Sequence, residues 1–233
     1  MGISRGPKIV TSGLVLCLDA ANKRSYPGTG TTWTDLSGNG NNGTLTNGPT
    51  FNAGNQGSIV FDGTDDKAVV SMNSSFVYGT SPFAIDVWIY ITGYAGIYNA
   101  GNIWSQTVGG RNYFYLGISP GIFYFTWGDG GGSSISTSAG VSQLNTWTHI
   151  CYTRVGTGAN QFFIYVNGVQ QAIGTVSYDF NDTTYIPTIG QYTHTTQLPF
   201  LGRISNIKVY NNKSLSSTEV LQNYNATKGR FGR

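Results

Sequence analysis

FAIDVWIYI, residues 83–91, decides the fold: Phe83, Ile85, Val87, Ile89 and Ile91 fall on one face, and Ala84, Asp86, Trp88 and Tyr90 on the other. A period of two places alternate side chains on opposite sides of an extended chain, and β-branched and aromatic residues favour a pleated, half-buried surface. The segment is therefore a strand with one face in a core. Downstream, RNYFYLGI and IFYFTWG flank Ser119-Pro120-Gly121, a turn with Pro and Gly where they are expected. The segment Trp147 to Val155 reads as another strand. NQFFIYVNGVQQAIG then holds Asn167-Gly168 between two apolar runs, a strong hairpin signal because both central residues of a type I′ turn need positive φ. RISNIKVYN alternates as well.

Upstream of the central strand, LVLCLDA after Gly13 has the look of a buried strand. The stretch NKRSYPGTGTTWTDLSGNGNNGTLTNGP reads as loop with short β pieces. SIVFDG (58–63) and KAVVSM, joined by GTDD, read as a second hairpin. A single segment is helical by its signals. Ser216 with Glu219 forms a capping box, Leu215 and Val220 have the spacing of a hydrophobic staple, and a helix is expected from about Ser217 to Asn225. Strands at short spacing followed by one small helix predict an all-β, two-sheet antiparallel sandwich with one short C-terminal helix.

Composition agrees. Among 233 residues there are 33 Gly, 27 Thr, 21 Ser and 20 Asn, with only 10% charged, which excludes a coiled coil, while 14% aromatic excludes a disordered chain. A chain of this length can bury a single core without disulfide staples. Cys17 and Cys151 both lie inside apolar strands, where reduced thiols behave as small hydrophobes. No apolar run reaches the roughly 18 residues of a membrane span, and MGISRGPKIV lacks the apolar region of a secretory signal, so a chain neither inserted in a membrane nor exported by the usual route is expected.

The net charge of +3 is carried by the ends: Arg5, Lys8, Lys228, Arg230 and Arg233 leave eight basic against ten acidic residues between 13 and 226. A nucleic-acid binder would instead gather charge on one folded face. The expected organisation is an N-terminal arm (1–12), a sandwich domain (13–226) and a basic tail (227–233), with the five terminal cations as docking residues.

Glu219 is the single glutamate, and the helix cap accounts for it. Glycosidase chemistry usually uses two carboxylates across a cleft, and none of Asp62, Asp65, Asp66, Asp86, Asp179 and Asp182 pairs on one strand face. His149 and His194 lack partners at metal or triad spacing, so neither zinc nor a Ser-His-Asp site is expected. His149 reads as a structural strand histidine and His194 as a loop contact residue. GDGGGSS (128–134) opens no helix and has no phosphate-loop Lys, and reads as a flexible loop. The metal that suits the hard oxygens of Asp62, Asp65 and Asp66, with Asp19 or Asp35 and loop carbonyls as further donors, is calcium.

The runs GLVLCLDAANKRSYPGTGTTWTDLSGNGNNGTLTNGPTF, GSIVFDGTDD, TWTHICYTR, IYVNG and RISNIKVYNNKSLSSTEVLQNYNATKGRF together resemble laminin G-like, concanavalin A-like jelly-roll domains. More narrowly, they are similar to the copies in virion proteins of marine tailed phages, cyanophages above all. The resemblance spans about Pro7 to Phe231. It implies a jelly roll of two curved sheets, a concave face able to hold a glycan, and a calcium at the sheet rim. The family's Asp-Gly turn falls on Asp62 and Gly63, its acidic strand residue on Asp86 and its hairpin turn on Asn167 and Gly168. The glutamate-rich strand motif of catalytic relatives is absent, and Ser205 and Asn206 stand where many relatives carry an acidic residue.

The expectation is thus a non-catalytic virion structural protein, a capsid decoration or a tail or fibre component, displayed on the particle surface after assembly in the host cytoplasm. Its partners would be capsid or tail proteins and host-surface glycans, with copies arranged as a homo-oligomer. The candidate glycan contacts are Trp104, Tyr113, Tyr115, Trp127, Tyr192 and His194, since aromatic rings stack on sugar faces; Trp88 and Trp147 are assigned to the core. The alternatives are a calcium-dependent lectin or adhesin of a bacterium and a polysaccharide-degrading enzyme.

Overall fold

The computed structural model describes residues 7–96, 98–108, 111–128, 132–192 and 198–233, and of residues 107, 108 and 111–113 the backbone alone. In chain order the described strands are β1 (Leu14–Asp19), β2 (Thr32–Trp33), β3 (Gly43–Thr46), β4 (Thr50–Asn52), β5 (Ser58–Asp62), β6 (Lys67–Val70), β7 (Phe83–Ile91) and β8 (Gly101–Val108). They continue with β9 (Arg111–Ser119), β10 (Ile122–Trp127), β11 (Ser133–Ser136), β12 (Trp147–Arg154), β13 (Phe162–Val166), β14 (Val169–Gly174), β15 (Ile186–Ile189) and β16 (Leu201–Asn211). Helix α1 (Ser217–Thr227) and a 3₁₀ turn (Lys228–Phe231) follow.

These strands form two antiparallel sheets, as the alternation predicts. The first runs β14-β13-β12-β7-β16-β5-β4, with β1 also paired to β16; the second runs β11-β10-β9-β8-β15-β6-β3-β2. The central strand β7 lies between β12 and β16, with Ile150 opposite Val87 and Lys208 opposite Asp86. Its inward set, Phe83 through Ile91, meets Phe114, Leu116, Ile118, Phe123 and Phe125 of the second sheet in one buried core. Phe83 is the hub of an aromatic cluster with Phe114, Phe125, Phe162 and Phe180 at centroid separations of 5.8–6.4 Å.

The outer face of β7 is also buried, because the chain ends fold over it. Val10, Leu215 and Val220 pack on Ala84, Cys151 and Tyr210, while Phe231 stacks on Trp88 at 4.1 Å. The first sheet is therefore covered on both sides. The capping box at Ser216 and Glu219 and the burial of Leu215 and Val220 are as expected, and the helix runs two residues further, to Thr227. Asn167 (φ 51°) and Gly168 (φ 81°) form the predicted two-residue turn, with Val166 opposite Val169. Both cysteines are free and buried.

Three expectations are corrected. SIVFDG and KAVVSM are not a hairpin: β5 pairs with β4 and β16 in the first sheet, and β6 with β3 and β15 in the second. Asp62–Asp66 is a corner between sheets, and alternation alone cannot separate the two cases because either way one face of each strand meets the core. Within GDGGGSS, Ser133 and Ser134 belong to β11, while residues 129–131 lie outside the described residues. The C-terminal tail is not a free arm. Arg230 pairs with Asp19 at 2.8 Å, the guanidinium of Arg233 donates to the Trp147 carbonyl, and Lys228 lies 5.3 Å from the Tyr224 ring. The described part of the N-terminal arm is docked too, through Val10 N–H to Asn223 Oδ1 and Gln222 Nε2 to the Lys8 carbonyl.

Candidate functional site

On the outer face of the second sheet, half-exposed tyrosines stand over a floor of buried small residues, Ser105, Gly117, Thr126 and Thr188. The β9–β10 hairpin sets what it displays. Leu116 and Phe125 are opposite each other and point inward, so their neighbours Tyr115, Gly117, Tyr124 and Thr126 point outward, with Tyr124 opposite Gly117 and Thr126 opposite Tyr115. The Tyr124 ring lies over Gly117, where a Cβ would overlap it. Tyr115 meets Tyr124 edge-on at 5.9 Å and Tyr192, just beyond β15, at 5.7 Å. The three half-buried rings thus form a platform of apolar faces and phenolic hydroxyls. Burial, and then the nearness of Tyr115, push the Tyr192 phenol up to about 12, and the Tyr124 phenol is raised for the same reasons, so both hydroxyls stay protonated donors at neutral pH.

Of the residues expected from sequence, Tyr115 and Tyr192 are on this platform. Trp104 is not. It is fully buried beside Phe76, and the reason is a register shift between Asn102 and Trp104 that turns both Ile103 and Trp104 into the core. Trp127 is half-buried against Phe125 at the sheet margin, on the inward side of β10. The Tyr113 side chain and His194 lie outside the described residues, as does Arg5. Tyr124 is the member that sequence reading missed, although its alternation with Phe123 and Phe125, and its pairing across the Ser119-Pro120-Gly121 hairpin, carried the signal.

At the corner between β5 and β6, Asp62, Asp65 and Asp66 offer carboxylate oxygens all within 4.8 Å of one another. The turn makes this cluster: Asp66 Oδ2 accepts from the Asp62 N–H, and Asp62 Oδ1 from the Thr64 N–H. Burial first, and then the charges of Asp62 and Asp65, raise the Asp66 carboxyl. A crowded set of hard oxygen donors, one of them buried, fits Ca²⁺ and not a soft metal. Asp19 and Asp35 are not part of it. Asp19 holds Arg230, and Asp35 accepts from the backbone N–H groups of Cys17, Ser37 and Asn41.

Asp86 lies between the first sheet and α1, fully buried, with Lys208 Nζ at 2.8 Å, His149 Nε2 at 2.9 Å and Asn223 Nδ2 at 3.2 Å. Burial acts to raise its pKa, but the Lys208 charge and then His149 outweigh it and hold the carboxyl well below the usual range. His149 is thus the structural histidine that its strand position predicts. Glu219 accepts from Ser216 and Lys213 at the helix start.

Residues 62–221 match the family model described as the concanavalin A-like lectin/glucanases superfamily. The chain belongs to this superfamily. No curated protein sequence matches it. Among solved structures, the binding domain of botulinum neurotoxin DC in complex with rat synaptotagmin II is similar at a TM-score of 0.71 and 16% identity, over 94% of this chain and 52% of that one. The binding domain of Paraclostridial mosquitocidal protein 1 aligns at 0.68 and 19%, over 92% and 52%. Domain 4 of AbnA, an extracellular arabinanase from Geobacillus stearothermophilus in complex with arabinotriose, aligns at 0.64 and 18%, over 91% of this chain and 98% of that one. The chain thus spans about half the length of the toxin binding domains and nearly all of the arabinanase domain. At these identities the likeness is one of fold.

Proposed function

We propose that this chain is a non-catalytic carbohydrate-binding module that reads host-surface glycans from the surface of a tailed-phage particle. The observation that carries the binding reading is the outer face of the second sheet, where the half-exposed Tyr115, Tyr124 and Tyr192 set three rings against one another around Gly117. Sugar rings stack their C–H faces on such aromatics while phenols and Thr126 supply hydrogen bonds. The AbnA domain, which holds arabinotriose and matches this chain over nearly its whole length, supports the same reading.

The non-catalytic reading rests on the carboxylates. Glu219 is engaged in the helix cap, and Asp86 is sealed beneath α1. The Asp62, Asp65 and Asp66 corner would hold Ca²⁺, which would supply charge neutralisation there and fix the crossing between sheets; the three side chains supply the ligands. The virion setting rests on the resemblance of the sequence motifs to those of marine phage proteins.

A glycan array probed with and without calcium tests the binding, and mass spectrometry of gradient-purified particles tests the setting. Saturable binding lost in the Tyr115→Ala and Tyr124→Ala variants is the expected result. Release of reducing ends from a polysaccharide would overturn the non-catalytic reading, and absence from particles would turn the assignment to a cellular lectin.

A further inference from the structure

On the far side of the molecule, between the N-terminal segment, β1, β16 and the C-terminal turn, is a cleft of about 310 Å³. Its walls are apolar, from Ile9, Leu14 and Leu36, and its polar side carries Asn206, Lys208, Arg230 and the Asp19 carboxylate. Asn206 is 1% exposed, and its Nδ2 has no hydrogen-bond partner among the described residues, although its Oδ1 accepts from Lys208 at 2.8 Å. Lys208 Nζ gives two of its three protons, to Asp86 and Asn206. Arg230, also on the cleft wall, donates through Nη1 to both oxygens of Asp19, so that carboxylate is already engaged. A buried amide without an acceptor costs about 1–3 kcal/mol, so a donor left unpaired at a cleft wall points to something that pairs it.

We propose that this cleft binds a small monocarboxylate with a short apolar chain. A carboxylate accepts and never donates, which matches the unpaired Asn206 amide and the third proton of Lys208, with Asp19 offset by Arg230, while the chain would lie on Ile9, Leu14 and Leu36. The volume suits a ligand of this size. The site lies on the opposite sheet from the tyrosine platform and is independent of glycan binding.

The test is isothermal titration calorimetry of the folded full chain with hexanoate, and with hexanol as the uncharged control, at constant ionic strength. The expected result is saturable binding of hexanoate and none of hexanol, with glycan binding unchanged. Arg230→Gln, which leaves the Asp19 charge uncompensated in the cleft, should raise the half-saturating hexanoate concentration roughly tenfold. Asn206→Leu, which keeps the shape, should do likewise, with a melting curve to establish that each variant is folded. Absence of saturable hexanoate binding overturns the proposal, as does equal binding of hexanol, which would make the cleft an apolar groove only.

Discussion

Single side chains divide between holding the fold and meeting a ligand. Trp104→Ala should cost about 3–5 kcal/mol, because it empties a fully enclosed site beside Phe76, and a denaturant titration would register it as a large loss of stability. Tyr115→Ala, by contrast, should leave the melting temperature nearly unchanged and weaken glycan binding roughly tenfold, about 1.4 kcal/mol, by isothermal titration calorimetry. Asp86→Ala strands Lys208 and His149 without their shared partner and should destabilise by about 3–5 kcal/mol. Asp66 works in the other direction. Its raised pKa means that the folded state holds the proton more tightly than the unfolded chain, so its contribution favours folding at low pH and is lost as pH rises through that range. Asp66→Asn should therefore raise the melting temperature in a calcium-free buffer and abolish any further rise on adding calcium; differential scanning fluorimetry with and without chelator would measure both.

Elements explain which of these roles the sequence discloses. The alternation in FAIDVWIYI fixes β7 and its inward set, the Asn-Gly pair fixes the β13–β14 turn, and Ser216 with Glu219 fixes the start of α1, since each is a local signal with a local cause. Trp104 and the β5–β6 corner are hidden for the opposite reason. A register shift reverses the facing of a side chain, and a change of sheet leaves the pattern of alternation intact, so neither leaves a mark on the sequence. The platform itself was half legible: Tyr115 and Tyr192 follow from residue type, while Tyr124 needed the partner strand and the bare backbone of Gly117. That glycine gives an element-scale prediction. Gly117 has no need of positive φ, so Gly117→Val suits a strand, yet its side chain would displace the Tyr124 ring. Glycan binding should fall without loss of the fold, as circular dichroism and calorimetry together would show.

At the scale of the whole molecule, the chain ends seal one sheet, and half-exposed tyrosines face outward from the other. The buried charges beneath α1 make that seal dependent on acid. Because the Asp86 pKa is depressed in the fold, its stabilisation is complete above the unfolded value of about 4 and is lost progressively as pH falls below it. Acid titration followed by tryptophan fluorescence should find Trp88, stacked between Tyr224 and Phe231, reporting the transition, and Asp86→Asn should flatten it. The same seal also sets a direction. Lys8 is tied to Gln222, and Arg233 to Trp147, so the first and last described segments leave the body on the side away from Tyr115, Tyr124 and Tyr192. A tether at either end, whether a neighbouring domain, an affinity tag or a sensor surface, would hold the molecule by its back and aim the three rings outward, giving every copy on a crowded support the same polarity.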